Sequence, residues 1–204
     1  PSTVAIQLGN RPAGTANVMG FYSSEKSEGN IDARLADVNH RVVNLLPERW
    51  RRGVQLRAGK IVNLKTKGEL KDHTLTGSLK LDLRGADIVE PSGWWPIGPL
   101  DVTHELAGTF SLGGGKRIFQ ADTNQGRVSR DGKVLGEYDA TTAWVGPDIF
   151  INLKSLMLGP AFTERAVAKW LPGQRLRAGT LTVKQSELRL AEKGAGRFKG
   201  SVAF

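Results

Sequence analysis

Residues 74–84 read Thr74-Leu75-Thr76-Gly77-Ser78-Leu79-Lys80-Leu81-Asp82-Leu83-Arg84. Leucine or glycine stands at every odd position, and a hydroxyl or charged side chain stands at every even one. Successive side chains of a β-strand point to opposite faces of the sheet, so this period of two predicts a strand with one apolar and one polar face.

Similar alternation recurs along the chain, in runs such as Val4 to Leu8, Leu106 to Phe110, Ile149 to Leu153 and Phe198 to Val202. Asp131-Gly132 is a pair favoured in two-residue hairpin turns, and Lys71-Asp72-His73 occupies a similar position between two alternating runs. These patterns predict one mainly β domain over residues 1–204, with an antiparallel, curved or half-barrel sheet.

Two stretches have helical character. The first runs from about Pro160 to Leu171, with proline at the position where a helix tolerates it best. The second runs from about Asn39 to Trp50 and is interrupted by Pro47, which removes a helical hydrogen bond. We therefore expect one or two short helices.

The tetrapeptide Leu-Arg-Ala-Gly occurs at 56–59 and again at 176–179, and a tryptophan precedes it at the same distance in each case, Trp50 and Trp170. Before each tryptophan lie a strand-like run and a helical stretch, and after each motif lie two further strand-like runs. This order predicts internal repeats at about 29–89 and 146–204, with a strand-rich insert at about 97–145.

The apolar positions of the last two runs in each repeat are expected to form one continuous surface. That surface would serve either as an apolar groove or as a closed core. Its candidate residues are Leu75, Leu79, Leu81, Leu83, Phe198, Val202 and Phe204.

The charge is basic but dispersed. The chain has 29 Lys and Arg against 20 Asp and Glu, and its densest cluster is Arg49, Arg51 and Arg52. This balance favours anionic partners. No block of like charges marks a nucleic-acid-binding tail, so we expect no specific nucleic acid.

Residues for turnover chemistry are not arranged in any known motif. The chain has no cysteine, and His40, His73 and His104 are scattered without the spacing of a zinc site. We expect these histidines to be surface or turn residues. The sequence therefore predicts no catalytic residue, no cofactor and no metal, and a protein that is not an enzyme.

Adjacent tryptophans, Trp94 and Trp95, stand in a Pro/Gly-rich loop. They form a candidate interface loop, because tryptophan is enriched at membrane interfaces and in binding surfaces. The alternative is that they close the end of a sheet.

Each repeat follows the order strand, short helix, "Leu-x-x-Gly" strand, hairpin and a strand ending in Gly-x-apolar. In this order, and in Leu75-Thr76-Gly77-Ser78-Leu79 and Phe198-Lys199-Gly200-Ser201-Val202, the chain resembles the AsmA-like superfamily of bacterial envelope proteins. The size and the two repeats also resemble the soluble part of the protein N family of type II secretion systems. The resemblance implies a periplasmic, inner-membrane-associated protein whose apolar groove acts in lipid handling or protein secretion. Its partners would be anionic phospholipid or other envelope components.

A structural protein of a virion or phage tail is the alternative. Such a protein would also be β-rich, free of cysteine and without catalytic motifs, and it would self-assemble into a homo-oligomer or a larger assembly. Pro1-Ser2-Thr3 is the kind of start that removal of an initiator methionine leaves, although an excised fragment explains it equally well.

Overall fold

The computed structural model describes residues 2–51, 53–91, 93, 95–96, 98–111, 118–146, 148–170, 179–190 and 197–203. Side chains of residues 2, 50, 166–170, 198 and 202 are outside this description. In chain order the elements are β1 (Ser2–Leu8), β2 (Arg11–Ser23), β3 (Glu28–Asn39), α1 (His40–Asn44), α2 (Glu48–Arg51), β4 (Gln55–Lys71), β5 (Thr74–Val89), β6 (Leu100–Ser111), β7 (Ile118–Arg130), β8 (Lys133–Val145), β9 (Asp148–Leu158), α3 (Pro160–Trp170), β10 (Leu181–Leu190) and β11 (Arg197–Ala203).

All the described strands belong to one antiparallel sheet of eleven strands. Every strand pairs with its neighbours in sequence, so the topology is a simple meander with β1 and β11 as its outer strands. The sheet is curved and remains open. The predicted class, a mainly β fold with a curved antiparallel sheet and short helices, is confirmed.

Two hairpins show how local chemistry sets the register. Asp72 and His73 have φ of 47° and 60°, and Asp131 and Gly132 have φ of 49° and 76°. Positive φ at both central residues defines the type I′ turn, whose twist matches that of paired strands. The turns predicted at these two positions are confirmed.

Cross-strand register places apolar side chains on one face of the whole sheet. Directly paired residues point to the same side. Following these pairs from strand to strand gives an almost purely apolar row across nine strands: Tyr22, Gly29, Leu70, Leu75, Phe110, Phe119, Trp144, Ile149 and Leu190.

The opposite face is polar and carries cross-strand ion pairs. Lys67 pairs with Asp32, Lys80 with Glu105 and Arg127 with Glu137, in each case with the residue directly opposite on the next strand. Exposed pairs of this kind contribute little to stability, about 0–1 kcal/mol each, but they keep this face hydrated. The polar face of the sheet is therefore hydrated, whereas the apolar face has to be shielded from water.

A bulge in β5 shifts the phase of the alternation. Leu83 pairs with Val102 and Ala86 pairs with Leu100, so two residues of β5, 84 and 85, lie opposite one residue of β6. Gly85 takes a φ of 59° at the bulge. As a result Ala86 and Ile88, at even positions, join Leu83 on the apolar face and in the core.

The core lies at one end of the apolar face. It consists of buried residues from β4, β5 and β6: Leu56, Leu83, Ala86, Ile88, Leu100 and Val102. Val43 of α1 and Trp95 of the β5–β6 connection pack onto this cluster. Trp95 also meets the ring of Phe162 of α3 edge-on, with 6.3 Å between the ring centroids. Short helices and one tryptophan therefore cover this end of the sheet.

Two hydrogen bonds of the Asn44 side-chain amide fix α1 on the sheet. Nδ2 of Asn44 donates to the Leu56 carbonyl at 2.7 Å, and Oδ1 of Asn44 accepts from the Leu56 N–H at 3.0 Å. These two bonds resemble one rung of a β-ladder. Pro47 separates α1 from α2, so the predicted interruption of this helical stretch is confirmed.

The predicted repeats have the same order of elements. β3, α1–α2, β4 and β5 make up the first, and β9, α3, β10 and β11 the second, while β6, β7 and β8 occupy the predicted insert. In the first copy of the tetrapeptide, Nδ1 of His40 in α1 lies 3.3 Å from the Gly59 carbonyl. In the second copy, Oγ1 of Thr163 in α3 donates to the Gly179 carbonyl at 3.2 Å. Residues 171–178 lie outside the described residues, so the duplication stays a prediction.

Leucines on the single strand β5 should differ sharply in their effect on stability. Leu83 is 7% exposed within the core, whereas Leu75 is 42% exposed at the other end of the same face. We expect Leu83→Ala to lower the free energy of unfolding by about 2–5 kcal/mol, because it leaves a cavity. Leu75→Ala should cost less than about 1 kcal/mol. Urea unfolding followed by circular dichroism measures both, and equal costs would show that the covered end is placed wrongly.

Candidate binding face of the sheet

The apolar face is covered at one end only. Along β5 the side chains pass from buried Leu83 through half-buried Leu81 and Leu79 to exposed Leu75. Val18, Tyr22, Ile31, Trp144 and Leu190, on the same face toward the same end, are also exposed. We call this region the open face: it is the part of the apolar face that lies on β2 to β10 at the end of the sheet away from the helices.

Three glycines form the floor of the open face. Gly68, Gly77 and Gly108 pair directly with one another on β4, β5 and β6. A Cβ at Gly77 would lie 2.7 Å from the Lys67 carbonyl oxygen, and one at Gly108 would lie 2.0 Å from the Gln120 carbonyl oxygen. Only glycine fits at these two positions, because the neighbouring backbones approach so closely.

Large apolar side chains form the walls around this floor. They leave a groove of about 210 Å³. The side chains of the wall come from β3, β5, β6 and β7 and are Ile31, Leu75, Leu79, Leu106, Phe110 and Phe119.

A second hollow of about 580 Å³ continues along the same face over β2 to β5. It shares Ile31, Gly68 and Leu75 with the first groove and adds Val18, Tyr22 and Leu70. Small-molecule sites typically have volumes of about 300–1,000 Å³ and apolar walls. The open face therefore has the size and the chemistry of a site for an apolar ligand.

A chain of polar side chains lies on the apolar face between the core and the open face. Nδ1 of His104 lies 3.0 Å from Oη of Tyr138, which donates to Oδ1 of Asn124 at 3.0 Å. Nδ2 of Asn124 then donates to Oγ1 of Thr142 at 2.9 Å. Gly126 lies between His104 and Tyr138 in the sheet. A Cβ at this position would lie 2.4 Å from the tyrosine ring, so glycine leaves room for the ring.

Burial shifts the pKa of two members of this chain. Desolvation lowers the pKa of His104, and a hydrogen bond with the Gln125 backbone partly opposes the shift. Desolvation also raises the pKa of Tyr138. Both groups are therefore neutral near pH 7, and their polar atoms bond to one another. The expectation that all three histidines are surface or turn residues is wrong for His104, which lies half-buried in the middle of a strand. It is also wrong for His40, which begins α1 and contacts β4.

The polar face has a hollow of its own, of about 470 Å³. Its charged residues are joined in pairs, Lys80 with Glu105 and Arg127 with Glu137. Among the residues that the structure describes, no cluster of His, Asp or Glu is arranged to hold a metal ion.

The predicted groove residues of β5 lie where the alternation indicated. Leu75, Leu79, Leu81 and Leu83 share the apolar face, and the first two line the groove. Phe198 and Val202 pair with Leu188 and Val183 on β10. The side chains of Phe198 and Val202, and the whole of Phe204, lie outside the described residues, so their part in this surface stays a prediction.

The candidate interface loop is described only in part. Trp95 packs on the core and on Phe162, so it helps to close the end of the sheet. Trp94 lies outside the described residues. A function of the loop in an interface therefore stays a prediction.

Two features of the apolar face were not predicted from the sequence. The glycine row shows in the sequence only as Gly68, Gly77 and Gly108 at apolar positions of three runs, and their register could have revealed it. The bond between His104 and Tyr138 joins residues far apart in sequence that only sheet pairing brings together.

Comparison with known proteins gives no relative, since no protein-family model, curated protein or solved structure matches the chain. Within the described part of the chain, no helix is both long and apolar enough to cross a membrane.

The stability of the protein should depend on the protonation of His104. Its pKa in the folded protein lies below the ordinary value of 6.5, so the unfolded chain binds a proton that the folded chain does not. The free energy of unfolding should therefore fall as the pH drops through about 6.5. Urea unfolding at pH 7.5 and 5.5 should show a smaller decline for His104→Gln than for the parent. His73→Asn, in a hairpin turn, is the control and should decline as the parent does; an unchanged decline in His104→Gln would contradict the assignment.

Proposed function

We propose that this chain is a non-enzymatic protein that binds lipid acyl chains on the open face of its sheet. A single observation carries the proposal: the apolar face continues beyond the core as a glycine-floored groove that no described element covers. A folded protein rarely leaves a contiguous apolar surface of this kind to water unless the surface has a partner.

The energetics of burial favour an alkyl chain as that partner. Each methylene that leaves water contributes about 0.8 kcal/mol, so a chain of several methylenes gains a useful affinity from contact alone. The walls contain aromatic and branched side chains, Phe110, Phe119, Leu79 and Leu106, that adapt to such a chain without polar contacts. A ligand with many polar groups would lose hydration here without compensation.

The charge of the protein supports an anionic headgroup. The formal net charge is +9. A protein with this charge attracts anionic headgroups in preference to neutral ones.

We further propose that the protein acts at the bacterial envelope, in lipid handling or in type II protein secretion. The likeness of its repeating unit to AsmA-like proteins supports this location. The sequence contains no recognised catalytic motif, which supports binding without turnover.

Self-assembly is the second candidate, and the outer strand β1 favours it. This strand has no charged residue and no proline, and its outer edge pairs with no other described strand. Such an edge can accept a strand from another chain. A structural protein of a virion or phage tail would use this edge to polymerise.

Filling the groove tests the acyl-chain proposal. A Cβ at Gly68 would lie 3.2 Å from Cγ2 of Ile31 and 3.3 Å from Cδ1 of Leu75, and the nearest backbone atom, the Thr76 carbonyl oxygen, is 3.9 Å away. Gly68→Leu should therefore fold and occupy the groove. Native mass spectrometry of the parent, expressed in a bacterium, should show co-purified phospholipid, and Gly68→Leu should lose most of it.

Thr76→Leu is the matched control. Thr76 is exposed on β5, so this variant places a leucine on the polar face, opposite the groove. It should retain the lipid. A parent that carries no lipid, and takes up none from added lysophospholipid, would overturn the proposal. Light scattering distinguishes the second candidate, which requires a concentration-dependent polymer that Gly68→Leu leaves unchanged.

A further inference from the structure

The segment from α1 to the start of β4 is strongly basic. Residues 40–57, here called the α1–α2 corner, contain five arginines and one acidic residue, against 29 basic and 20 acidic residues in the whole chain. Arg41, Arg49 and Arg57 are exposed. The single acidic residue, Glu48, forms an ion pair with Arg51.

Large apolar side chains are exposed in the same corner. Leu45 is 70% exposed and Leu46 is 44% exposed, and Val54 is also exposed. The two leucines stand between α1 and α2, where Pro47 ends the first helix. Nothing in the described part of the chain covers them.

Hydrogen bonds hold this corner in one shape. The guanidinium of Arg51 donates to the carbonyls of Leu46 and Val54, at 2.9 and 3.3 Å, and so joins the two apolar positions. Oε1 of Glu48 accepts from the N–H of Gly53 at 2.7 Å. Exposed leucines on a segment with these bonds are displayed by a defined structure and do not belong to a frayed end.

The helix α1 presents one side to the sheet and the other to solvent. His40, Val43 and Asn44 face β4, through the contact with Gly59, the core packing and the two bonds to Leu56. Arg41 and Leu45 are four residues apart and therefore neighbours on the opposite side. The exposed side of α1 thus combines a cationic side chain, Arg41, with an apolar one, Leu45.

We propose that the α1–α2 corner docks the protein onto an anionic lipid bilayer. Leu45, Leu46 and Val54 enter the boundary between headgroups and acyl chains, and the exposed arginines contact lipid phosphates. Short amphipathic segments with cations beside apolar residues bind membranes in this way, and each cation near the surface adds to the attraction. Nucleic-acid interfaces are largely polar, so the exposed leucines favour a bilayer over RNA or DNA.

This inference is independent of the proposed acyl-chain groove. The corner lies against β3 and β4 at the covered end of the sheet, whereas the groove occupies the open face. Either site can therefore fail in experiment while the other remains.

Vesicle sedimentation tests the docking. The full chain should bind vesicles that contain about 30% phosphatidylglycerol in phosphatidylcholine, and binding should weaken as salt is raised. The double variant Leu45→Ser, Leu46→Ser should bind at least about tenfold more weakly, because two exposed apolar side chains no longer enter the bilayer. Arg41→Gln should weaken binding by about fivefold. Thermal unfolding checks that each variant is folded, which their exposure leads us to expect.

Two controls separate the corner from the rest of the surface. Lys65→Gln removes one exposed charge from the polar face of β4 and should bind vesicles as the parent does. The double variant Ile118→Ser, Val145→Ser removes two exposed apolar side chains that pair on the polar face of β7 and β8, outside the groove, and should also retain vesicle binding.

Several results would overturn the docking proposal. These are a parent that does not bind anionic vesicles, a corner double variant that binds them as the parent does, and equal loss in both double variants. Tight binding of an oligonucleotide that survives the leucine substitutions would assign the arginines to nucleic acid instead.

Discussion

One constraint governs this molecule: an eleven-stranded sheet has a continuous apolar face, and the described residues form no second sheet to cover it. In most antiparallel proteins a partner sheet or a layer of helices buries that face. Here α1, α3 and a tryptophan cover one end. The rest of the face depends on curvature, on side-chain packing within the sheet and, under our proposal, on a ligand.

The covered and open ends of the apolar face differ in their side-chain packing. At the covered end Val43 of α1 and Trp95 pack on the cluster that contains Leu83 and Leu100. Phe162 of α3 rests on Gly136, where a Cβ would lie 3.1 Å from its ring. At the open end glycines replace large residues, so the floor is low and the aromatic walls stand above it. The chain from His104 to Thr142 lies between the two ends, and its internal hydrogen bonds allow polar groups to remain on an otherwise apolar surface.

Sequence patterns predicted the fold class because period-two alternation needs only local information. The face on which Leu75 to Leu83 lie follows from that alternation, and the hairpin at Asp131-Gly132 follows from the φ angles that these residues tolerate. Alternation failed after Leu83, because the bulge at Gly85 moves the core to the even positions Ala86 and Ile88. The register of β4, β5 and β6, which brings three glycines together, depends on pairing along the whole sheet. No local signal specified it, and none indicated that Tyr138 would meet His104.

Under our proposal the open face receives an acyl chain and the core end does not. Nuclear Overhauser effects between a bound lysophospholipid and methyl-labelled protein measure this directly. We predict contacts from the alkyl chain to the methyl groups of Ile31, Leu75, Leu79 and Leu106, and none to those of Leu83 or Leu100. Contacts at the core end, or none at any of these methyl groups when lipid is in excess, would contradict the account.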